Sequence, residues 1–249
     1  MYDIHCHILP GTDDGSPSFE ESLKMAADAR RNNTVGIICT PHVNSDSPTD
    51  TMKLHTLKKK FSLLLSDAGI DLKLYSGQEI MAGDNYREIP AMLKSHKLLT
   101  LAHSGYVLIE FPLDADYSLI EERTSYIASR GFVPVVAHPE RYQAAKDRVN
   151  IALIKKCGAL IQLNKGSLKG SFGHTAQENA HFILRHGLAD FIASDAHSSK
   201  RRTPGLKNVY DAVREMYSAD YAEKLTVVNP EKILKNQRIT PGEYEDTLN

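Results

Sequence analysis

Cysteine is scarce in this 249-residue sequence, and Cys6, Cys39 and Cys157 are far apart. No two of them form a CxxC pair, which argues against both a disulfide framework and a zinc ribbon. An odd and scattered set of cysteines favours a protein of the reducing cytoplasm.

Long apolar runs and an excess of charge of either sign are also missing. No uninterrupted apolar stretch approaches the roughly 20 residues that cross a bilayer, and Asp3, His5 and His7 interrupt the apolar core that a secretion signal would need. The sequence therefore predicts a soluble, cytoplasmic protein without membrane insertion. Its formal net charge is -1, so it lacks the basic field on which non-specific nucleic-acid binding depends, and we expect no nucleic-acid partner.

Several common hydrolase motifs are absent. No cysteine is followed by an arginine six positions later, which excludes the CxxxxxR phosphate loop of cysteine-dependent tyrosine phosphatases. The sequence contains neither a GxSxG nucleophile elbow nor a GxxxxGK[ST] phosphate-binding loop. Any phosphate chemistry must therefore use other groups.

Histidines and carboxylates, by contrast, stand in close pairs near both ends of the sequence. His5 and His7 are one residue apart, and Asp195 and His197 form a similar pair far down the chain. Because side chains alternate faces in an extended strand, His5 and His7 point the same way. Their spacing predicts a metal-chelating pair.

Further ligand types occur where apolar runs stop. His42 follows VGIICTP, Glu79 follows LKLYSGQ, Glu110 follows YVLI and His138 follows VPVVA, while Asp13 and Asp14 lie in the loop after the first histidines. A barrel-like α/β fold gathers its active site at the C-terminal ends of its strands. The pattern predicts a polynuclear metal site.

Strand-like and helix-like segments alternate along the whole chain. The strand-like runs are VGIICT, LKLYSGQEI, YVLIEF, PVVAH, ALIQLN and FIASD, with intervals long enough for helices. Continuous apolar strands are typical of a parallel sheet covered on both faces. About seven βα units, with ligands at nearly every strand end, favour an irregular (β/α)7 TIM-like barrel over an open sheet. We expect an α/β fold with a single domain over residues 1–249, closed by helices after Leu206.

The order of the motifs resembles a known family. MYDIHCHILPGTDDGS, TPHV, SGQEI, LIEFP, AHPERY, QLNKGSLKGSFG and SDAH followed by Arg202 span about residues 1–205. Together they resemble the CpsB/CapC-type bacterial protein-tyrosine phosphatases of the polymerase-and-histidinol-phosphatase (PHP) superfamily. The HxH pair alone is a weak signal, whereas the ordered set is specific.

The resemblance implies three metal ions. The first ion would be bound by His5, His7, Glu79 and Asp195, the second by Glu79, Glu110 and His138, and the third by Asp14, His42 and His197. Asp13 is the alternative to Asp14, with a turn-capping role expected for Asp13. Imidazole and carboxylate ligands without thiolate suit manganese, iron or zinc, and the resemblance favours manganese.

Two arginines complete the implied site. Arg141 and Arg202 match positions that resemble the phosphate-binding arginines of the family, with the neighbouring Arg201 as an alternative. A guanidinium group can donate two parallel hydrogen bonds to phosphate oxygens. Clustered metals lower the pKa of bound water and neutralise phosphoryl charge, so we expect direct attack by a metal-activated hydroxide without a protein nucleophile.

The leading hypothesis is therefore a metal-dependent protein-tyrosine phosphatase. By resemblance, its partner is the tyrosine-phosphorylated tail of a bacterial tyrosine kinase that controls capsular or exopolysaccharide synthesis. The alternatives are a PHP-type phosphatase of a small phosphomonoester such as histidinol phosphate, and a non-enzymatic, metal-containing module that binds a kinase. Selection among these substrates would depend on rim loops at residues 44–52 and 82–88.

Overall fold

The computed structural model describes residues 1–45 and 50–239, in which strands and helices alternate. The strands are β1 (Tyr2–Cys6), β2 (Gly36–Cys39), β3 (His42–Asn44), β4 (Lys73–Ser76), β5 (Glu79–Met81), β6 (Tyr106–Glu110), β7 (Val133–Ala137), β8 (Leu160–Asn164) and β9 (Phe191–Ala193). The helices are α1 (Phe19–Arg31), α2 (Thr51–Asp67), α3 (Ile89–Lys94), α4 (Tyr117–Ser129), α5 (Val149–Lys156), α6 (Lys165–Leu168), α7 (His174–Arg185), α8 (Lys207–Met216), α9 (Ala219–Glu223) and α10 (Asn229–Leu234). A π-helical turn over Lys224–Val228 joins the last two helices.

All strand pairs in the described ranges are parallel, and they form two ladders. One has the order β1-β2-β4 and the other has the order β3-β5-β6-β7-β8-β9. The predicted strand LKLYSGQEI is divided into β4 and β5 at Gly77, and the short strand β3 begins at His42, beyond the end of the predicted strand VGIICT and after Pro41. Pro41 has no amide hydrogen to donate to a ladder. At Gly77 a Cβ would lie only 2.7 Å from Cγ2 of Ile38, so the chain passes too closely for a larger residue.

Backbone hydrogen bonds bring the first and last strands together. Just after β9, the amide of Asp195 donates to the carbonyl of His5 and the amide of His7 donates to the carbonyl of Ala196, each over 2.9 Å. The predicted α/β fold with a parallel sheet is confirmed. Within the described residues the strands form two separate ladders, and their closure into a (β/α)7 barrel stays a prediction.

Most of the strands are apolar and buried, whereas β3 and β4 are partly exposed. Every residue of β6 and β8 is buried. Helix α1 begins after Ser18, whose side chain accepts a hydrogen bond from the amide of Glu21, and it buries Met25 and Ala29. In the described part of the chain, no helix is both long enough and apolar enough to span a membrane.

The chain after Leu206 is helical, as the sequence predicts. Val213 of α8 and Leu225 of the π-helical turn belong to the same apolar cluster as Ile161 of β8 and Ile192 of β9. These helices therefore pack on the last two strands. Residues 240–249 lie outside the described residues, and a single domain over residues 1–249 stays a prediction.

Candidate metal centre

The nine predicted ligands lie together at one edge of the strands. His5 is in β1 and His7 follows it, Asp14 is in the loop before α1, His42 begins β3, Glu79 begins β5, Glu110 ends β6, His138 follows β7, and Asp195 and His197 follow β9. The C-terminal ends of parallel strands share one edge, so residues distant in sequence become neighbours there. The strand pattern is what assembles the cluster.

Glu79 is the centre of this cluster and is fully buried. Its Oε2 lies 3.0 Å from Nε2 of His5, 3.2 Å from Nε2 of His7 and 3.1 Å from Nδ1 of His42. Its Oε1 lies 3.1 Å from Nε2 of His138. One carboxylate therefore faces four imidazoles, which is the position expected of a bridging ligand.

Two aspartates extend the cluster. Oδ1 of Asp195 lies 3.5 Å from Nε2 of His7 and 3.6 Å from Nδ1 of His197. Oδ1 of Asp14 lies 3.4 Å from Nε2 of His197 and 3.6 Å from Nε2 of His42. Asp14 thus faces the histidines that the third predicted site pairs it with.

Three groups of potential ligand atoms each lie within 4.8 Å of one another. They are His7, Asp14, His42 and His197; His5, His7 and Asp195; and His42, Glu79 and Glu110. The first group contains the whole of the third predicted site, and the second contains most of the first. The remaining group differs from the second predicted site, because it contains His42 instead of His138. Nδ1 of His42 lies 2.8 Å from Oε1 of Glu110. The division of ligands among ions stays a prediction.

Asp13 has a supporting position rather than one facing the open cavity. Its Oδ2 hydrogen-bonds Nδ1 of His7 over 2.7 Å and accepts from the amide of His42 over 2.9 Å, while its Oδ1 accepts from the amide of Gly15. Burial opposes ionisation of Asp13, but the hydrogen bond and positive charge of His7 lower its pKa to about 2. It therefore caps the turn, as expected, and also orients two of the histidines.

Two further supporting residues were missed in the sequence. Oε1 of Gln162 lies 2.7 Å from Nδ1 of His5, and Nδ2 of Asn164 donates to Oδ2 of Asp195 over 2.5 Å. Both are in β8 and fully buried. The signal was present, because polar residues two apart in the run LIQLN point to the same face of the strand.

The charges of the cluster shift the protonation of its histidines in opposite directions. Burial opposes protonation of His42, but its hydrogen bond to Glu110 and the charge of Glu79 raise its pKa to about 9. Burial, together with the positive charges of His7 and Arg202, lowers the pKa of His197 to about 4. His197 is therefore neutral at physiological pH, and the neutral imidazole is the form that binds metals.

The donor set fits metal ions. Among the described residues, Oε2 of Glu79 and Nε2 of His197 are buried and form no well-aligned hydrogen bond, although Oε2 of Glu79 lies within 3.2 Å of three imidazole nitrogens. Leaving a polar atom in this state is unfavourable unless something else binds it. A cation between the histidines and carboxylates would satisfy both atoms, and oxygen and imidazole ligands suit manganese, iron or zinc.

Two of the predicted ligands have backbone in the left-handed region. The φ angle is 35° at His138 and 50° at Asp195, values that are uncommon for residues other than glycine. Backbone hydrogen bonds hold both residues, from the amide of His138 to the carbonyl of Gln162 and from the amide of Asp195 to the carbonyl of His5.

The cluster opens into a cavity of about 260 Å³, here called the metal cavity, which both predicted arginines line. Nη2 of Arg202 lies 2.5 Å from Oδ1 of Asp195, and Nη1 of Arg141 lies 3.4 Å from Oδ2 of the same residue. The ring of Phe172 stacks on both guanidinium groups, with its centroid 4.2 Å from Cζ of Arg141 and 5.6 Å from Cζ of Arg202. Arg201 does not line this cavity, so the geometry favours Arg202 over its neighbour.

Another part of the metal cavity is apolar. Met81, Phe111, Pro112 and Leu113 line it, and Leu113 is 53% exposed. Met81 adjoins the second predicted rim loop, whereas residues 46–49 of the first predicted rim loop lie outside the described residues. The cavity therefore offers charged groups for an anion and an apolar surface for the group that carries it.

Comparison with known proteins agrees with this geometry. A family model for CpsB/CapC, capsular polysaccharide synthesis, matches residues 1–235. The tyrosine-protein phosphatase YwqE of Bacillus subtilis (strain 168) is 33% identical over 242 residues, covering 96% of this chain and 93% of YwqE. The tyrosine-protein phosphatase CpsB of Streptococcus pneumoniae is 32% identical over 250 residues, covering 96% of this chain and all of CpsB (100%).

The fold is also similar to that of a solved structure over nearly the whole chain. A chain from the crystal structures of YwqE from Bacillus subtilis and CpsB from Streptococcus pneumoniae, described as unique metal-dependent tyrosine phosphatases, aligns with a TM-score of 0.88. Its sequence is 31% identical, and the alignment covers 98% of each chain. The protein belongs to the CpsB/CapC family.

Proposed function

We propose that this protein is a metal-dependent tyrosine phosphatase that hydrolyses phosphotyrosine on a partner protein. The observation that carries the proposal is a single cavity in which clustered imidazole and carboxylate groups face two arginines. Metal ligands and guanidinium groups are the usual means of binding and activating a phosphomonoester. Relatives that match nearly the full chain are named as tyrosine-protein phosphatases.

The proposed cofactor is a set of three divalent ions, with manganese favoured by family resemblance. The residues that would hold them are His5, His7, Glu79 and Asp195; Glu79, Glu110 and His138; and Asp14, His42 and His197. When bound, such ions lower the pKa of coordinated water and neutralise charge on the phosphoryl group.

The arginines would bind the phosphate group. Asp195 and Phe172 hold the guanidinium groups of Arg141 and Arg202 at the cavity wall. Because their positions are already fixed, they lose little conformational freedom when a phosphate enters. The apolar side chains at Met81 and Leu113 would contact the phenyl ring.

No cysteine is among the described residues that line the metal cavity, so the site offers no cysteine nucleophile. Cys6 and Cys39 are fully buried, and burial raises the pKa of Cys39 to about 12 and that of Cys6 well above its usual range. Both stay protonated and unreactive at physiological pH. Direct hydrolysis by water is therefore proposed, and the phenolate of tyrosine, with a pKa of about 10, leaves without much assistance.

We further propose that the substrate is the phosphorylated tail of a bacterial tyrosine kinase that controls capsular or exopolysaccharide synthesis, in the cytoplasm. The family's description in terms of capsular polysaccharide synthesis supports the pathway. Three free cysteines support a reducing compartment. An extended tail suits the metal cavity because a phosphotyrosine must reach ligands that are almost fully buried.

The test removes all metal from the purified protein, restores manganese, and follows phosphate release from a phosphotyrosyl peptide, a phosphoseryl peptide and histidinol phosphate. The His138→Ala variant should lose activity, whereas His174→Ala, which changes a histidine that is 82% exposed on α7, should keep it. Manganese-dependent release mainly from phosphotyrosine supports the proposal. Turnover of histidinol phosphate alone would contradict it in favour of a small-molecule phosphatase, and no turnover with metal bound would indicate a binding module.

A further inference from the structure

A second cavity, of about 460 Å³, adjoins the metal cavity and is strongly basic. We call it the basic cavity, defined by its four cationic residues Lys165, Lys169, Arg201 and Arg202. We propose that the basic cavity binds a second anionic group of the substrate peptide, a carboxylate or a second phosphate close to the phosphotyrosine that is cleaved. This inference rests on the proposed function and specifies which peptides the enzyme prefers.

Arg202 pairs with Asp195, but the other three charges of the basic cavity are not balanced locally. No aspartate or glutamate lines it, and the polar side chains of Ser171 and Thr203 add hydrogen-bond donors. Among the described residues, Lys165, Lys169 and Arg201 form no ion pair within 4.0 Å. The whole chain has a net charge of -1, so this concentration of positive charge is a local feature.

Lys165 makes the site more than a patch of surface lysines. It is 9% exposed, and its ammonium group donates to the carbonyl of Gly205 over 2.6 Å. An ammonium group has three hydrogens to donate, so capacity is left for an anion in the cavity. Burying a cation without a carboxylate partner is unfavourable, and a bound anion would offset that penalty.

Arg202 connects the two cavities. It lines both, and its Nη2 and Nε bind the side chain and the backbone carbonyl of Asp195 on the side of the metal cavity. Phe172, which stacks on Arg202, also lines the basic cavity. An anion in the basic cavity is therefore separated from the proposed reaction centre by little more than one arginine side chain, within reach of the same peptide.

Another cavity that adjoins the metal cavity is not basic in this way. It has a volume of about 590 Å³ and shares Arg141 with the metal cavity. Its charges are mixed, since Asp114 and Glu140 line it together with Arg141 and Lys146. We therefore assign the recognition of an acidic group to the basic cavity.

The experiment compares three peptides of equal length that carry the same central phosphotyrosine. One has neutral flanking residues, one has glutamate on both sides, and one has a second phosphotyrosine. The wild-type enzyme with manganese should have the higher kcat/KM for one or both acidic peptides, and the two arms distinguish a carboxylate from a second phosphate. Lys169→Glu and Arg201→Glu, both at exposed positions, should each reduce this preference by about fivefold, the effect of losing one exposed ion pair.

Controls separate the basic cavity from general electrostatics. Lys200→Glu makes the same charge change beside Arg201 but outside the lining of the cavity, and it should retain the preference. Phenyl phosphate, which has no flanking residues, reports the activity of each variant at the metal cavity, and the peptide preference of each variant is compared with that activity. Three results would each overturn the proposal. They are a wild-type enzyme that does not prefer acidic peptides, a preference that survives in both Lys169→Glu and Arg201→Glu, and an equal loss of the preference in Lys200→Glu.

Failure of the proposed function is distinguishable from failure of this inference. If neither peptides nor phenyl phosphate are hydrolysed, the proposed function is wrong. Fluorescence anisotropy with peptides that carry a non-hydrolysable phosphonate then measures binding directly. Tighter binding of the acidic peptides, weakened by Lys169→Glu and not by Lys200→Glu, supports the basic cavity, and equal binding of all peptides refutes it.

Discussion

Replacing Glu79 by glutamine should abolish most metal binding at the centre of the cluster. The change keeps the shape of the side chain but removes its charge from a fully buried position that lies within 3.2 Å of imidazole nitrogens of His5, His7 and His42. His138 contacts the other carboxylate oxygen at 3.1 Å. The predicted bridging role means that two ions lose a ligand at once.

The expected loss of metal affinity follows from comparison with a residue that contacts the predicted ligands without being one of them. Asp13 does not bind metal in our assignment but orients His7 and His42 through its Oδ2. Loss of such an outer partner weakens metal binding by about 10- to 100-fold, which is the effect expected for Asp13→Asn. Glu79→Gln should exceed it, with binding at least about 100-fold weaker, or about 2.7 kcal/mol.

The assay is competition for manganese between the protein and a chelating dye, followed by phosphate release from a phosphotyrosyl peptide at saturating manganese. Glu122→Gln, at a side chain that is 59% exposed, is the matched control and should behave as wild type. Wild-type manganese affinity in Glu79→Gln, or a larger effect of Asp13→Asn than of Glu79→Gln, would refute the assignment of Glu79 as the bridging ligand.

Two other perturbations test separate parts of the structure. Leu113→Ser removes apolar surface from the metal cavity, where Leu113 is 53% exposed. It should lower kcat/KM for a phosphotyrosyl peptide by up to about tenfold and leave the turnover of a phosphoseryl peptide unchanged. Equal losses on both substrates would contradict a contact between Leu113 and the phenyl ring. Burial lowers the pKa of Lys165 to about 8 from 10.5. Protonation of Lys165 therefore destabilises the folded state relative to the unfolded state. This destabilisation is fully present below about pH 8 and disappears by about pH 10.5. In urea unfolding, the free energy of unfolding of the wild type relative to Lys165→Met should rise by roughly 3 kcal/mol across that interval, and a constant difference would show that Lys165 is not perturbed.

The meeting of histidines and carboxylates at one edge was predictable from the apolar runs that they follow, whereas the assignment of nine ligands to three ions came from the family resemblance and stays a prediction. A histidine or carboxylate at the end of each apolar run, such as Glu110 after YVLI, must lie at the common edge once the strands are parallel. Gly170 and Gly173, in the run KGSLKGSFG, have φ angles of 74° and 94°, which glycine adopts without steric cost.

The features of the site that the sequence did not predict depend on contacts between residues that are far apart in the chain. Gln162 was taken as part of an apolar strand, and its role becomes visible only when His5 lies beside it. Phe172 stands in a glycine-rich loop, and its stacking on Arg141 and Arg202 joins segments that are distant in sequence. The division of a strand at Gly77 likewise depends on how closely Ile38 approaches it.

The joining of the first and last strands also sets an order of events during synthesis. Cys6 and Ala196, which pair at this junction, are 190 residues apart. The ribosome releases His5 and His7 early, but the Asp195 and His197 side chains that complete their surroundings emerge only after four fifths of the chain has been made. A product that is terminated before Asp195 therefore lacks part of the proposed ligand set, and it should not bind the full number of metal ions.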